Sequence, residues 1–329
     1  MKYMGFRLIV VCLVLGAVFL ACKGEGIGFP ASFTRYGDNP ILRTGTGWDS
    51  GWLHPYSVLQ VGDEYWMWYG GTEGSGLPSD VGLAFSDDGL SWRRYANNPI
   101  FSPQPDAWDN SRIEHLTVLE EDGRFLAWYA GDADFDRQFQ IGYAESPDGI
   151  SWARSPDPVL SPGPPGSWDD HIVTPAAVLR EGSKYRMYYW GGAVTTSSVR
   201  TWKMGLATST DGVNWEKYAD NPVFEGRPDS WDVGVLDMDV VKVNGAYYMV
   251  YQGNEEGRDR TRLGFATSAD GIEWQRSDEP FFDNGAAGSW DAQWTEAPVL
   301  LQVDDGWAMI YMGWGGSGGQ QIGIALALE

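Results

Sequence analysis

Trp168-Asp169, Ala177-Val178-Leu179, Tyr185-Arg186-Met187-Tyr188-Tyr189, Met204-Gly205-Leu206-Ala207 and Ser209-Thr210-Asp211-Gly212-Val213-Asn214-Trp215 follow one another near the middle of the 329-residue chain and together make one unit. The apolar stretch, the turn after it and the aromatic stretch read as an antiparallel pair, because β-branched and aromatic residues at this density fit a pleated, packed surface. Small and large residues alternate in the third stretch, as interleaved sheets require. The Ser-x-Asp-Gly-x-x-Trp segment is a turn: Asp closes an Asx turn, Gly takes the left-handed position and Trp opens a fourth strand as a core plug.

The unit recurs outward in both directions. Trp-Asp pairs stand at Trp48, Trp108, Trp168, Trp231 and Trp290, at spacings of 60, 60, 63 and 59 residues. The third stretch returns as Val81-Gly82-Leu83-Ala84, Ile141-Gly142-Tyr143-Ala144, Leu263-Gly264-Phe265-Ala266 and Ile322-Gly323-Ile324-Ala325. Four units continue through the Asp-Gly turn to Asn98-Pro99, Asp157-Pro158, Asn221-Pro222 and Glu279-Pro280, whereas the fifth stops at Glu329. Its missing piece stands at the other end, where Phe33 to Leu42 contains Asp38-Asn39-Pro40-Ile41. Four strands per unit and a leading strand that completes the last unit predict an all-β fold, a five-bladed β-propeller over residues 33–329 with no helix of any length. The expected blades are 48–101, 108–160, 168–224, 231–282 and 290–328 with 33–42.

A propeller sets the first strand of each blade along the axis. Six residues beyond each Trp of the Trp-Asp pairs stand His54, Glu114, Thr174, Asp237 and Glu296, all polar although such positions are free to be apolar. Two residues earlier stand Trp52, Arg112, Ile172, Val235 and Trp294, and Asp239 follows Asp237 by two. The chain's three histidines, His54, His115 and His171, all fall in these windows. On the same face the loops between second and third strands are long, polar and unlike one another, the mark of a functional face on a repeated scaffold.

Carboxylates crowded into a partly dry cleft acquire split pKa values, as glycosidic cleavage requires. Glu114, Asp237 and Glu296 are the candidate catalytic set. His54, Trp52, Arg112, Thr174, Trp294, Trp202 and Asp239 are candidate substrate contacts, with Trp52, Trp294 and Trp202 as platforms for sugar rings. The competing readings are a non-catalytic carbohydrate-binding propeller of the cell envelope, and a metal-centred scaffold using His54 with nearby carboxylates. No cofactor is required; a structural divalent cation in the channel fits mixed His and carboxylate donors, without naming the metal.

With 23 basic against 45 acidic residues, the net charge of −22 repels phosphate backbones and anionic headgroups, which argues against nucleic acid as a partner. No Rossmann or P-loop fingerprint points to a nucleotide. Lys2 and Arg7 precede an apolar run from Leu8 to Leu20, too short to span a bilayer and fitting a secretory signal over residues 1–21. Phe19-Leu20-Ala21-Cys22 resembles a bacterial lipobox, which would lipidate Cys22 and leave 22–32 as an anchor and linker. The expected protein is exported and held to the envelope by that lipid alone.

The Pro-bearing inner strand, aromatic second strand, Gly-x-Ala, Ser-x-Asp-Gly-x-x-Trp and Asn-Pro pattern resembles the arabinanase, levansucrase and invertase superfamily of five-bladed propellers, glycoside hydrolase families 43, 62, 32, 68, 117 and 130. The resemblance covers residues 33 to 329 and is more specific for fold than for substrate. It implies an Asp base, an Asp that tunes pKa and a Glu acid at inner-strand starts. Asp237 and Glu296 match the tuner and the acid, Glu296-Ala297-Pro298 looks like the acid motif, and Glu114 takes the base position. Where the family has Asp-Pro on the first blade, this chain has His54-Pro55. Three readings stay open: a catalytic set displaced by one blade with Glu as base, a catalytic or cation-binding His54, or loss of hydrolase activity.

Overall fold

The computed structural model describes residues 28–74, 80–133, 138–193, 201–255 and 260–328. The expected signal sequence, Cys22 and most of the 22–32 linker lie outside the described residues. Within them every regular element is a β-strand.

Each unit begins with a long inner strand: Leu53–Val61, Arg112–Glu121, Ile172–Glu181, Gly234–Val243 and Trp294–Val303. A tight turn leads to an antiparallel second strand, and a third strand pairs antiparallel to the second. The fourth strand is a fragment of two or three residues, Arg93–Arg94, Ala153–Arg154, Trp215–Lys217 and Gln275–Arg276. In the fifth unit Thr34–Arg35 pairs with the third strand instead, Thr34 opposite Leu326 and Arg35 opposite Ala325. The inner strands neighbour one another in sequence order, and the first also neighbours the fifth. Single parallel bridges, Thr261 to Trp294 and Trp52 to Gln320, join unit four to five and five to one.

The sheets hold together through aromatic second strands buried between them. Trp68, Trp128, Tyr69, Tyr129, Tyr188, Tyr189, Tyr251 and Tyr311 have almost no exposed surface. The Asp-Gly turns act as expected and also tie units together. Asp211 Oδ1 accepts from the amides of Val213 and Asn214 at 2.9 and 2.8 Å, and Gly212 takes a φ of +78°. The Gly212 carbonyl then accepts from the indole of Trp128, one unit back, at 2.7 Å; Gly149 serves Trp68 in the same way at 3.0 Å.

Candidate active site

A cavity of about 190 Å³ lies among the five inner strands. Leu59, Leu119, Leu179, Val241 and Leu300 give it apolar walls, and His54, His115 and Asp237 are its polar lining towards the strand starts, with Asp239 deeper on the inner strand of unit four. Glu114 and Glu296 adjoin the histidines. Glu114 Oε2 is 4.0 Å from His115 Nε2, and both carboxylates act electrostatically on His54.

Strand pairing shows how these groups arrive. His54, Glu114, Thr174 and Glu296 occupy equivalent rungs, opposite Gly70, Ala130, Trp190 and Met312. In unit four that rung holds Leu236, opposite Gln252, and Asp237 is the extra residue of a bulge. The count of six from the Trp therefore holds in four units and slips by one in the fourth. The cause is a shorter unit: Asp and Tyr of the Trp-Asp and aromatic segments are 20 residues apart in the other four, and 19 apart from Asp232 to Tyr251. Every inner strand is bulged near this point, and His115 and Ala297 sit in the bulges with φ of +46° and +50°. Non-glycine residues held there are costly and concentrate at functional sites, where they re-aim side chains.

Asp237 is the hub. His54 Nε2 lies 3.3 Å from its Oδ2 and His115 Nδ1 lies 3.3 Å from its Oδ1. Burial alone would raise the carboxyl, but the two imidazoles hold it below the usual aspartate range. Burial pulls both histidines down; for His54 the hydrogen bond and charge of Asp237, with Glu296 and Glu114, outweigh it and raise the ring, whereas His115 falls to about 4. Burial lifts Glu114 to about 7, against the pull of Arg112 and His54 and with support from Asp132 and Asp237. Glu296 Oε1 accepts from Gln252 Nε2 at 3.1 Å, and that amide also reaches Asn254 Oδ1 at 3.1 Å.

Other expected site residues divide. Trp52 stands edge-on to His54 at 5.9 Å. Arg112 is buried, its Nε donating to Asp132 Oδ1 at 3.1 Å and its Nη2 to Oδ2, so its charge is already matched. Thr174 is 1% exposed and is not among the residues that line the cavity. Trp202 is buried behind Trp190, ring centres 5.0 Å apart; Trp190, which the sequence pattern did not single out, meets His115 at 5.2 Å. Trp294 pairs with Trp314 at 4.3 Å. Asp239 ties two units, accepting from Val240 N at 2.8 Å and Leu300 N at 2.7 Å, as Ser57 Oγ accepts from Val118 N at 3.2 Å in unit one. His115 and Gln252 are the other additions. His115 carried a signal, as a histidine beside Glu114; Gln252 carried none.

All-β sheets of four strands presenting carboxylates from their inner strands fit the class of propeller-like glycoside hydrolases. Residues 125–316 match the glycosyl hydrolases family 32 N-terminal domain, and the chain belongs to that family of enzymes acting on glycosyl bonds. Over 260 residues, 76% of this chain and 80% of the relative, it is 26% identical to Uncharacterized protein MT1551 of Mycobacterium tuberculosis (strain CDC 1551 / Oshkosh). It is 33% identical to the β-1,2-mannobiose phosphorylase of Thermoanaerobacter sp. (strain X514) over 105 residues, 29% of this chain and 34% of that one. Among solved structures it resembles one reported for GH130 mannoside phosphorylases and the glycoside hydrolases among them that target β-1,2 mannosidic linkages in Candida mannan, at TM-score 0.69, 18% identity and coverage of 93% and 95%. A glycosyl hydrolase from Bacteroides ovatus gives TM-score 0.71, 18% identity and coverage of 91% and 96%.

Proposed function

We propose that the chain is a five-bladed propeller, closed where Thr34–Arg35 completes the fifth sheet, that hydrolyses a glycan through Glu296 as acid and Glu114 as base. The observation that carries this is the placement of Glu114 and Glu296 on equivalent rungs of two inner strands, both acting on His54 beside the same cavity. A carboxylate lifted towards neutrality by burial is a stronger base at working pH than an ordinary one, which supports Glu114 in that role. Asp237 holds the two imidazoles and adds negative charge next to Glu114. Water delivered by a base to the face opposite the leaving group inverts the anomeric centre. Export and lipid anchoring at Cys22 complete the reading.

Two relatives bear phosphorylase names. Hydrolysis is favoured over phosphorolysis here because Arg112, the cation acting on Glu114, is engaged by Asp132 and is not offered to a phosphate. The test is a screen of protein beginning at Lys23 against β-1,2-mannosides, arabinans, xylans, fructans and aryl glycosides, with and without phosphate. Reducing sugar released without phosphate, with inverted configuration and lost in Glu296→Gln, is the expected result. Cleavage only with phosphate would replace hydrolysis by phosphorolysis, and saturable binding without product would leave a carbohydrate-binding propeller.

A further inference from the structure

We infer that His54, His115 and Asp237 form a binding site for one first-row divalent metal ion of the zinc or manganese class, clamped between units one, two and four. One donor atom from each of these three residues lies within 4.8 Å of the others. His54 Nε2 and His115 Nδ1 both face the Asp237 carboxylate, one towards each oxygen.

The hydrogen bonding around the rings explains the assignment. His54 Nδ1 lies 3.2 Å from the carbonyl oxygen of Pro55. Donation to that carbonyl puts the proton on Nδ1 and leaves the Nε2 lone pair aimed at Asp237. His115 Nε2 lies 4.0 Å from Glu114 Oε2, beyond hydrogen-bond reach, and His115 Nδ1 lies 3.3 Å from Asp237 Oδ1 without a hydrogen bond between them. The His54 ring then presents a lone pair to a carboxylate that has only lone pairs to offer. A proton on His54 Nε2 resolves that contact, but Asp237 Oδ1 is buried and accepts no hydrogen bond from the described residues although His115 Nδ1 is 3.3 Å away. A cation between the three resolves both. The Pro55 carbonyl behind the His54 ring is the kind of partner that orients a histidine ligand at a metal site.

Charge leads to the same place. Asp237 is largely buried between the two imidazoles with Glu114 beside His115, and the guanidinium of Arg112 is matched by Asp132 and not offered to Asp237. Buried negative charge of this kind is costly without a counter-ion. Two imidazoles with one carboxylate suit zinc-class ions; calcium and magnesium prefer all-oxygen shells. Three protein donors leave a coordination position for water or a substrate oxygen. The site shares Asp237 with the glycosidase reading but does not depend on it, since metal uptake is read without any glycan.

Full-length protein treated with chelator, then titrated calorimetrically with zinc chloride, manganese chloride and calcium chloride, tests the site. We expect one equivalent of zinc or manganese to bind, with affinity falling about 100-fold or more in His115→Ala and Asp237→Asn and about 10-fold in Glu114→Gln. Because the ligands come from three units, saturating metal should raise the wild-type unfolding temperature by about 5 °C and leave His115→Ala unmoved. Chelated variants melting near the chelated wild type show that they fold. Glu296→Gln should bind metal as the wild type does, separating metal uptake from turnover. No stoichiometric uptake, equal uptake by His115→Ala, or tighter uptake of calcium would overturn the assignment.

Discussion

The outer ends and the inner strand starts of the same five units follow opposite rules. At the outer end each unit builds one latch. The buried aspartate of the Trp-Asp pair accepts from the hydroxyl of Tyr69, Tyr129, Tyr189, Tyr251 or Tyr311 at 2.9 to 3.3 Å. It also takes a cation from the fourth strand: Arg94 to Asp49, Arg154 to Asp109, Lys217 to Asp169 and Arg276 to Asp232. In the fifth unit the cation comes from Arg35, at the other end of the chain, to Asp291 at 2.7 Å. At the axis, by contrast, equivalent rungs hold His54, Glu114, Thr174, Leu236 and Glu296. Repetition is kept where it holds sheets together and abandoned where chemistry is asked of single residues.

The largest effect should come from breaking the axial side. Glu296→Gln or Glu114→Gln should lower turnover by about 1,000-fold, the scale of losing a general acid or base. Neither makes a latch, so their unfolding temperatures should stay near that of the wild type. A fully active Glu296→Gln would mean that the axial residues vary without chemical purpose.

Breaking a latch should do the reverse. Asp109 is almost fully buried and Arg154, its partner at 2.7 Å, nearly so. Asp109→Ala takes the carboxylate away from that guanidinium and from the Tyr129 hydroxyl, which costs about 3 kcal/mol, or a fall of about 5 °C for a chain of this size. Turnover per folded molecule should be unchanged when measured well below the new melting point; a parallel loss of activity at low temperature would couple the two regions.

Acid sharpens the same point. Burial would raise Asp232, but Arg227, Ser230, Tyr251 and Arg276 hold its carboxyl below the usual 3.8. A carboxyl lower in the folded than the unfolded state contributes stability above its unfolded pKa, and that contribution is lost as pH falls through the folded value. Asp232→Asn should therefore be less stable than wild type by about 2 kcal/mol at neutral pH, with the gap closing below about pH 4 in denaturant titrations. A gap that persists to pH 2 would make the latch a matter of shape and not of charge.

The latch made the fold legible. Trp-Asp, the aromatic strand, Gly-x-Ala and the Asp-Gly turn are local demands repeated at one spacing, and Asn39 in the leading segment takes Ile324 N at 2.9 Å just as Asn98 takes Leu83 N at 2.9 Å. The axis was legible only to the extent that it shares that spacing. Glu114 and Glu296 could be counted to; Asp237 was counted to by an offset that lands on a bulge, because unit four is one residue short between Asp232 and Tyr251. The contact of Gln252 with Glu296 joins strands of neighbouring units and leaves no period to read.

The smallest effect tests whether the latches are as alike as they look. In four units an arginine gives one arm to the aspartate and another to a backbone carbonyl just ahead of the Trp-Asp pair: Arg94 to Arg43, Arg154 to Ser102, Arg276 to Glu225 and Arg35 to Asp283. Unit three has Lys217, whose single ammonium is given to Asp169 Oδ2 at 2.7 Å. An ammonium lacks the fork that spans both acceptors. Lys217→Arg should therefore restore the second arm and stabilise the chain by about 1 kcal/mol, a net hydrogen bond's worth, read as a higher urea midpoint with an unchanged slope. No gain would mean that the aspartate alone sets the latch and that the carbonyl contact merely follows from arginine's length.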